Sequence, residues 1–366
     1  MNPIITPEIQ EVMKAVHYRP AVSIIMPFET KINSKTELSY SLKIATDKVE
    51  KELEQSYPAE ISLLVMQKLR RLISNLKVDV HKKSVAIYVS PVFEKVLFLD
   101  ITVEEKIIID ESFEIRDLIY CKKQLHKFLV LLISGKECRM YLGNANHFIR
   151  IVTGLPDSID AYKKDTPERV ANFSDSAEQK EIVIDQFLHH IDKALDTILK
   201  TFHLPLFVLG AERILGHFKK MTKHSSAVRK YIQGNYEEAT FTELNQLLAP
   251  HIIDWKKERQ NELLKKLEVA NGKMQLATGI KDVWREAMNQ KGRLLLVEKN
   301  YMVAARHGSQ EAVIYKEETS GNTSLYIKDA VDDVIEKVLE NGGDVEFVEE
   351  GLLNDYQQIA LIQYYQ

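Results

Sequence analysis

The chain has 366 residues, 45% of them hydrophobic and 28% charged, and its 49 Lys and Arg against 53 Asp and Glu give a formal net charge of -4. That length exceeds what one hydrophobic core organises and predicts two or three domains, while the composition excludes a long disordered chain. The slight acidity excludes a surface that is basic all over, so any RNA contact has to be a local patch and DNA is not an expected partner.

In chain order, the first 20 residues carry Glu8, Glu11 and Lys14 and lack the apolar core of a secretory signal. Val22 to Pro27 reads as a buried strand, and Leu42, Ala45, Val49 and Leu53 place a helix over Ser39 to Gln55. A second amphipathic helix is predicted from Glu60 to Leu76, followed by strands Ser84 to Ser90 and Lys95 to Asp100. The first domain, of mixed helix and strand, is closed at residue 120.

Lys127 to Ser134, Cys138 to Leu142 and Phe148 to Val152 predict a meander of three strands with turns at Gly135-Lys136 and Gly143-Asn144. The apolar run Phe128 to Ser134 is far short of the roughly 20 residues that span a bilayer, so no membrane is expected. Gly154 to Lys180 is polar and long for a connection, and loops of that length are usually functional or mobile. Val183, Phe187, Ile191, Ala194 and Ile198 predict a helix from Ala177 to Thr201, and Leu206 to Gly210 a short buried strand. This middle domain is assigned residues 121–256. A charged helix from Trp255 to Ala270 and the Asn271-Gly272 break lead into a third domain, 257–366. Its predicted order is helix Ile280 to Asn289, strands Arg293 to Glu298 and Met302 to Arg306, helix Ile327 to Glu340, then strands Asp344 to Val348 and Gln358 to Tyr364. Asn341-Gly342-Gly343 reads as the stop of its last helix.

Cys121 and Cys138 are too few for a disulfide framework and lack metal-ligand spacing, which predicts a cytoplasmic protein without structural zinc. No GxxxxGK[ST] loop, GxSxG elbow or CxxC pair is present, and the middle-domain strands carry no acids for a two-metal nuclease site. No cofactor is expected. Asp185, His189, Asp192 and Asp196 share one helix face at spacings of four, three and four. That pattern permits a cation, but it is what a solvated face opposite the apolar stripe has to look like and is read as that first. The clearest basic patch is Arg213, Lys219, Lys220, Lys223, Arg229 and Lys230, with His217 and His224 interleaved. Cations so clustered neutralise RNA phosphates without reading sequence.

The segment from Asp332-Asp333-Val334-Ile335-Glu336 through Asn341-Gly342-Gly343-Asp344-Val345-Glu346-Phe347-Val348 to Gln358-Ile359-Ala360-Leu361-Ile362-Gln363-Tyr364-Tyr365 resembles the C-terminal domain of the archaeo-eukaryotic release factor and Pelota family. Lys127 to Asn144 resembles the opening hairpin of that family's middle domain. The resemblance, which points to the family's bacterial branch, implies three α/β domains, the middle one ribonuclease H-like and the last an α-β-α sandwich. Peptide-releasing members carry Gly-Gly-Gln in the long middle-domain loop. Here that loop, 163–180, reads KKDTPERVANFSDSAEQK and has no glycine. The resemblance therefore implies a ribosome-bound factor of stalling, rescue or dormancy that acts without that motif, with Arg169, Asn172, Phe173 and Ser174 at the functional loop. It also implies ribosomal RNA as partner of the basic patch and a translational GTPase as partner of the third domain. The rival readings are a metal-dependent hydrolase of RNA or an ester using Asp185, His189 and Asp192, and a non-ribosomal interaction protein.

Overall fold

The structure is a computed structural model and describes residues 6–15, 18–28, 34–79, 81–124, 127–134, 137–144, 147–152, 154–156, 158–160, 176–308, 313–316 and 326–365. The chain forms two compact units, one of residues 1–124 with 262–366 and one of residues 125–261. Among the described residues, no helix is long and apolar enough to cross a membrane.

The first section runs α1 (Pro7–Met13), β1 (Ala21–Pro27), α2 (Ser34–Ser56), α3 (Ala59–Ser74), β2 (Ser84–Val89), β3 (Glu94–Leu99), β4 (Lys106–Asp110) and α4 (Arg116–Gln124). Its sheet is antiparallel, in the order β3-β2-β1-β4. Val22, Ile24 and Met26 of β1 meet Leu42, Val49 and Leu53 of α2 and Val65 and Leu69 of α3 in one core. The alternate residues Ser23 and Ile25 are also buried, so this central strand is covered on both faces and reads as an unbroken apolar run.

The middle section runs β5 (Phe128–Ile133), β6 (Cys138–Gly143), β7 (Phe148–Ile151), α5 (Ser176–Phe202), β8 (Leu206–Gly210), α6 (Glu212–Met221), β9 (Val228–Gln233) and α7 (Phe241–Gly272). The sheet order is β7-β6-β5-β8-β9, with the predicted antiparallel meander joined to two parallel strands. Strand alternation divides the core. Leu129, Leu131 and Ile133 face Phe187 and Ile191 of α5 and Phe218 of α6, whereas Phe128, Val130 and Leu132 face Leu244, Leu248 and Trp255 of α7. Position 210, the last of β8, requires glycine because a Cβ there would stand 2.4 Å from the Ile133 carbonyl oxygen.

The helix predicted from Trp255 starts earlier, at Phe241. Thr240 and Glu243 form a reciprocal capping box there: Glu243 accepts from the Thr240 backbone N–H at 2.8 Å, and Thr240 Oγ1 accepts from the Glu243 N–H at 3.3 Å.

The third section runs β10 (Leu276–Thr278), α8 (Gly279–Met288), β11 (Gly292–Glu298), β12 (Ala305–His307), β13 (Ile314–Lys316), β14 (Tyr326–Ile327), α9 (Ala330–Glu340), β15 (Asp344–Val348) and β16 (Ile359–Gln363). Its main sheet, β10-β16-β11-β15, has Leu263, Leu267 and Ala270 of α7 on one face. The buried sides of α8 and α9, with Val283, Trp284, Val334 and Val338, supply further core. The mixed α/β class read from the sequence is borne out. Two predicted elements are corrected. The strand expected at Met302 to Arg306 is shorter and lies in a separate sheet, β13-β12-β14. The helix expected from Ile327 starts at Ala330, where Asp329 caps it by accepting from Val331 N–H at 3.0 Å. The Gly342-Gly343 stop is as expected: Gly342 has φ +81°, and a Cβ on Gly343 would stand 2.5 Å from the Gly292 carbonyl oxygen.

Within this unit the first and third sections share a buried polar seam. Asp332 of α9 accepts from the N–H groups of Ile115 and Arg116 at 3.1 and 2.7 Å, so its carboxylate caps the N-terminus of α4. The Arg116 side chain, 1% exposed, pairs with Asp329 and donates to the Tyr301 carbonyl at 2.7 Å. Lys106 pairs with Asp117 at 2.8 Å and lies 3.6 Å from Glu114, while Lys123 reaches Asp344 and Glu346 at 2.9 Å each. Burial, reinforced by neighbouring carboxylates, holds Glu114 and Asp332 well above the usual carboxylate range.

Candidate nucleic-acid interface

The basic patch of the middle section is built on α6. Ile214, Leu215 and Phe218 recur at helical spacing and are buried, which turns Arg213, Lys219 and Lys220 to solvent. Glu212 in the first turn and Lys219 and Lys220 in the last turn suit the helix dipole. Lys219 Nζ lies 5.6 Å from the centroid of the Tyr231 ring, a cation-π contact between α6 and β9. Burial, with the Asp192 charge second, raises the Tyr231 phenol above its ordinary value. Lys223 follows the helix. Its backbone N–H donates to Asp192 at 3.3 Å, and Thr222 Oγ1 donates to the same carboxylate at 2.6 Å. Asp192 thus ties the end of α6 to α5 and holds Lys219, Lys220 and Lys223 on one short stretch.

The other three cations of the sequence-derived patch are placed differently. Arg213 pairs with Glu181 at 3.0 Å, both side chains more than half exposed. Leu206 pairs with Val228 and Phe207 with Lys230, so Arg229 is the extra residue of a bulge and is exposed. Lys230 stands opposite Phe207 and alternates with Tyr231, on the α7 side of the sheet. The six cations read from the sequence therefore do not share one face: Lys219 lies against Tyr231, Lys220 and Lys223 are exposed at the end of α6, and Lys230 stands on the other face of the sheet. Tyr231 was missed because its partner lies 12 residues away on a different element. The signal that locates it is the alternation of Val228 to Gln233, hidden under two adjacent cations.

Asp185, His189, Asp192 and Asp196 do not converge on one point. The Asp185 carbonyl lies 2.8 Å from His189 Nδ1 and its carboxylate 3.4 Å from His217 Nδ1, Asp196 pairs with Lys200 at 2.7 Å, and Asp192 serves the α6 terminus. Among the described residues no three His, Cys, Asp or Glu side chains are disposed to hold a metal. A cavity of about 720 Å3 in the same unit is lined by Ile151, Leu155, His190, Lys193, Ile198 and Phe202, among others. The loop residues Arg169, Asn172, Phe173 and Ser174 lie outside the described residues.

Residues 127–291 match the family model of bacterial archaeo-eukaryotic release factor family 3. The match bears out the resemblance read from the sequence. The family 3 stretch takes in the whole α6 patch and continues through α7 and α8. No curated protein matches the chain. Among solved structures, a ribosome-bound archaeal Pelota described with ABCE1 is 12% identical over 98% of this chain and 93% of its own, with a TM-score of 0.44. Saccharomyces cerevisiae Dom34, described as a translation termination-like factor interacting with Hbs1, is 12% identical over 80% of this chain and 76% of its own, with a TM-score of 0.40. The archaeal termination factor aRF1 is 13% identical over 98% and 97%, with a TM-score of 0.23.

Proposed function

We propose that this chain is a cytoplasmic, ribosome-associated translation factor that acts by binding, in stalling, rescue or dormancy, without Gly-Gly-Gln peptide release. The observation that carries the reading is the family 3 match, because it spans the segment that holds Lys219, Lys220 and Lys223. Three exposed cations at the end of α6, one of them, Lys219, against the Tyr231 ring, suit RNA phosphates, which such cations neutralise whatever the base sequence. Ribosomal RNA is accordingly the partner proposed for this trio. A translational GTPase is the partner proposed for the third section, by analogy with the solved Dom34 described as interacting with Hbs1.

The absence of peptide release is argued from the chain itself. The loop 163–180 contains no glycine, and close backbone approach to a substrate needs one. The only Gly-Gly pair, Gly342-Gly343, ends α9 and packs against Gly292. The test is a peptidyl-tRNA hydrolysis assay on stalled and terminating ribosomes. Wild-type protein is expected to bind these ribosomes and release no peptide. Efficient hydrolysis that is lost on changing residues 163–180 would overturn the non-catalytic reading.

A further inference from the structure

We propose that the third section carries a second RNA-phosphate site, formed by Lys265, Lys266 and Arg293 around a depression also lined by Lys273 and Gln275. The inference rests on the ribosome-association reading for the source of the RNA, and adds to it a surface on another part of the chain. The depression measures about 250 Å3, and Val269 and Ala270 complete its lining, so no carboxylate lines it. Lys265 and Lys266 are exposed on the last turns of α7, whose opposite side is anchored on the sheet by Leu263, Leu267 and Ala270. A helix C-terminus favours cations through its own carbonyl groups, so these lysines alone would say little. Arg293 comes from a different element. In the β11–β16 ladder Gly292 pairs with Gln363 and Leu294 with Ile362, which leaves Arg293 as the extra residue of a bulge, and bulges re-aim side chains.

Aromatic rings stand at the same end of the sheet. The Gln363 N–H donates to the Gln275 carbonyl at 2.9 Å and the Tyr364 N–H to the Lys291 carbonyl at 3.0 Å. That brings Tyr364 and Tyr365, 45% and 58% exposed, to the end where Gln275 and Arg293 lie; the Tyr364 hydroxyl donates to the Gly342 carbonyl at 3.3 Å, which leaves Tyr365 as the ring proposed to stack. Cations for phosphates beside exposed rings for bases are the two components of single-stranded RNA binding. An acidic protein segment would use the cations but leave the tyrosines idle, so RNA is the ligand class favoured.

The test uses the full chain and a fluorescent single-stranded oligouridylate, read by anisotropy over a range of salt. Lys265→Gln, Lys266→Gln and Arg293→Gln together are expected to lower affinity about a hundredfold near 0.1 M salt. The slope of log K against log salt should fall by about 2, from roughly 0.7 per phosphate on a single strand. Tyr365→Ala should lower affinity at least about fivefold with the slope unchanged, which separates stacking from charge. All four side chains are exposed, so the circular dichroism spectrum should not change. Wild-type affinity and slope in the triple variant would overturn the site. So would tighter binding of poly-glutamate than of RNA through the same three residues, which would make the depression a protein-docking surface. Loss of the ribosome reading has a different signature: a wild-type chain that binds oligouridylate through these residues but does not sediment with ribosomes.

Discussion

Arg116 has almost no solvent contact, and its surroundings explain what its loss would do. It stands among Asp329, Asp332 and Glu114, and Lys106 is the next cation in the seam. Removing one partner of a buried pair leaves the other charge without compensation, at a cost of about 3–5 kcal/mol. Arg116→Ala is therefore expected to lower unfolding stability by that amount in a urea titration, and a loss within about 0.5 kcal/mol, ordinary for a surface site, would contradict the seam as described. Glu336 gives a pH-dependent counterpart. Burial first, and Glu340 second, push its carboxyl from 4.5 up to about 8, against the opposing pull of Lys337. The folded state thus keeps a proton that the unfolded chain loses. The resulting stability is full below about 4.5 and declines as pH rises towards about 8. Glu336→Gln, which cannot ionise, should change stability little at the acid end of that window. At the alkaline end it should raise stability by up to about 5 kcal/mol, about 1.4 kcal/mol for each pH unit between 4.5 and about 8. An equal effect at both ends would contradict the raised value.

Helix α6 is the element on which the proposed function depends, and Asp192 is what positions its end. Asp192→Ala removes the acceptor of Thr222 Oγ1 and the Lys223 N–H, and should cost about 1–2 kcal/mol in stability. Charge reversal at Lys219, Lys220 and Lys223 should instead leave stability nearly intact. It should weaken ribosome co-sedimentation and flatten its salt dependence, because fewer phosphates are neutralised. A triple reversal that sediments like wild type at every salt concentration would remove the patch from the interface.

The elements legible in the sequence were those with one dominant pattern. Strands β1 and β5 are apolar on both faces because both faces are covered, and α2 and α3 show a clean stripe. Strand β9 was hidden because Arg229 sits in a bulge and Lys230 faces outward from a two-sided sheet. The start of α7 was hidden because its apolar residues serve two cores, Leu244, Leu248 and Trp255 in one and Leu263, Leu267 and Ala270 in the other. The α5 carboxylates kept the spacing of a ligand set, yet spacing on one helix does not say which neighbour takes each group, and Asp192 was taken by Thr222. Charge clustering in the sequence located six cations, the β8–β9 register and the Arg213–Glu181 pair set three of them apart, and only the α6–β9 contact added Tyr231.

At the scale of the whole molecule, we propose that the sections 1–120, 121–256 and 257–366 are the chain's covalent divisions. The first and third share the Arg116–Asp329 pair and the Asp332 cap on the Ile115 and Arg116 N–H groups. Fragments 1–120 and 257–366, expressed together, should therefore elute together in gel filtration, and separate elution of the two would show that the seam does not hold them. The most direct test of ribosome association is sucrose-gradient sedimentation of tagged wild-type protein from cells with actively translating, stalled and dormant ribosomes. The expected result is co-migration with ribosomal particles in at least one of these states, lost progressively as salt is raised. Recovery of all the protein at the top of the gradient in every state, even at low salt, would contradict it.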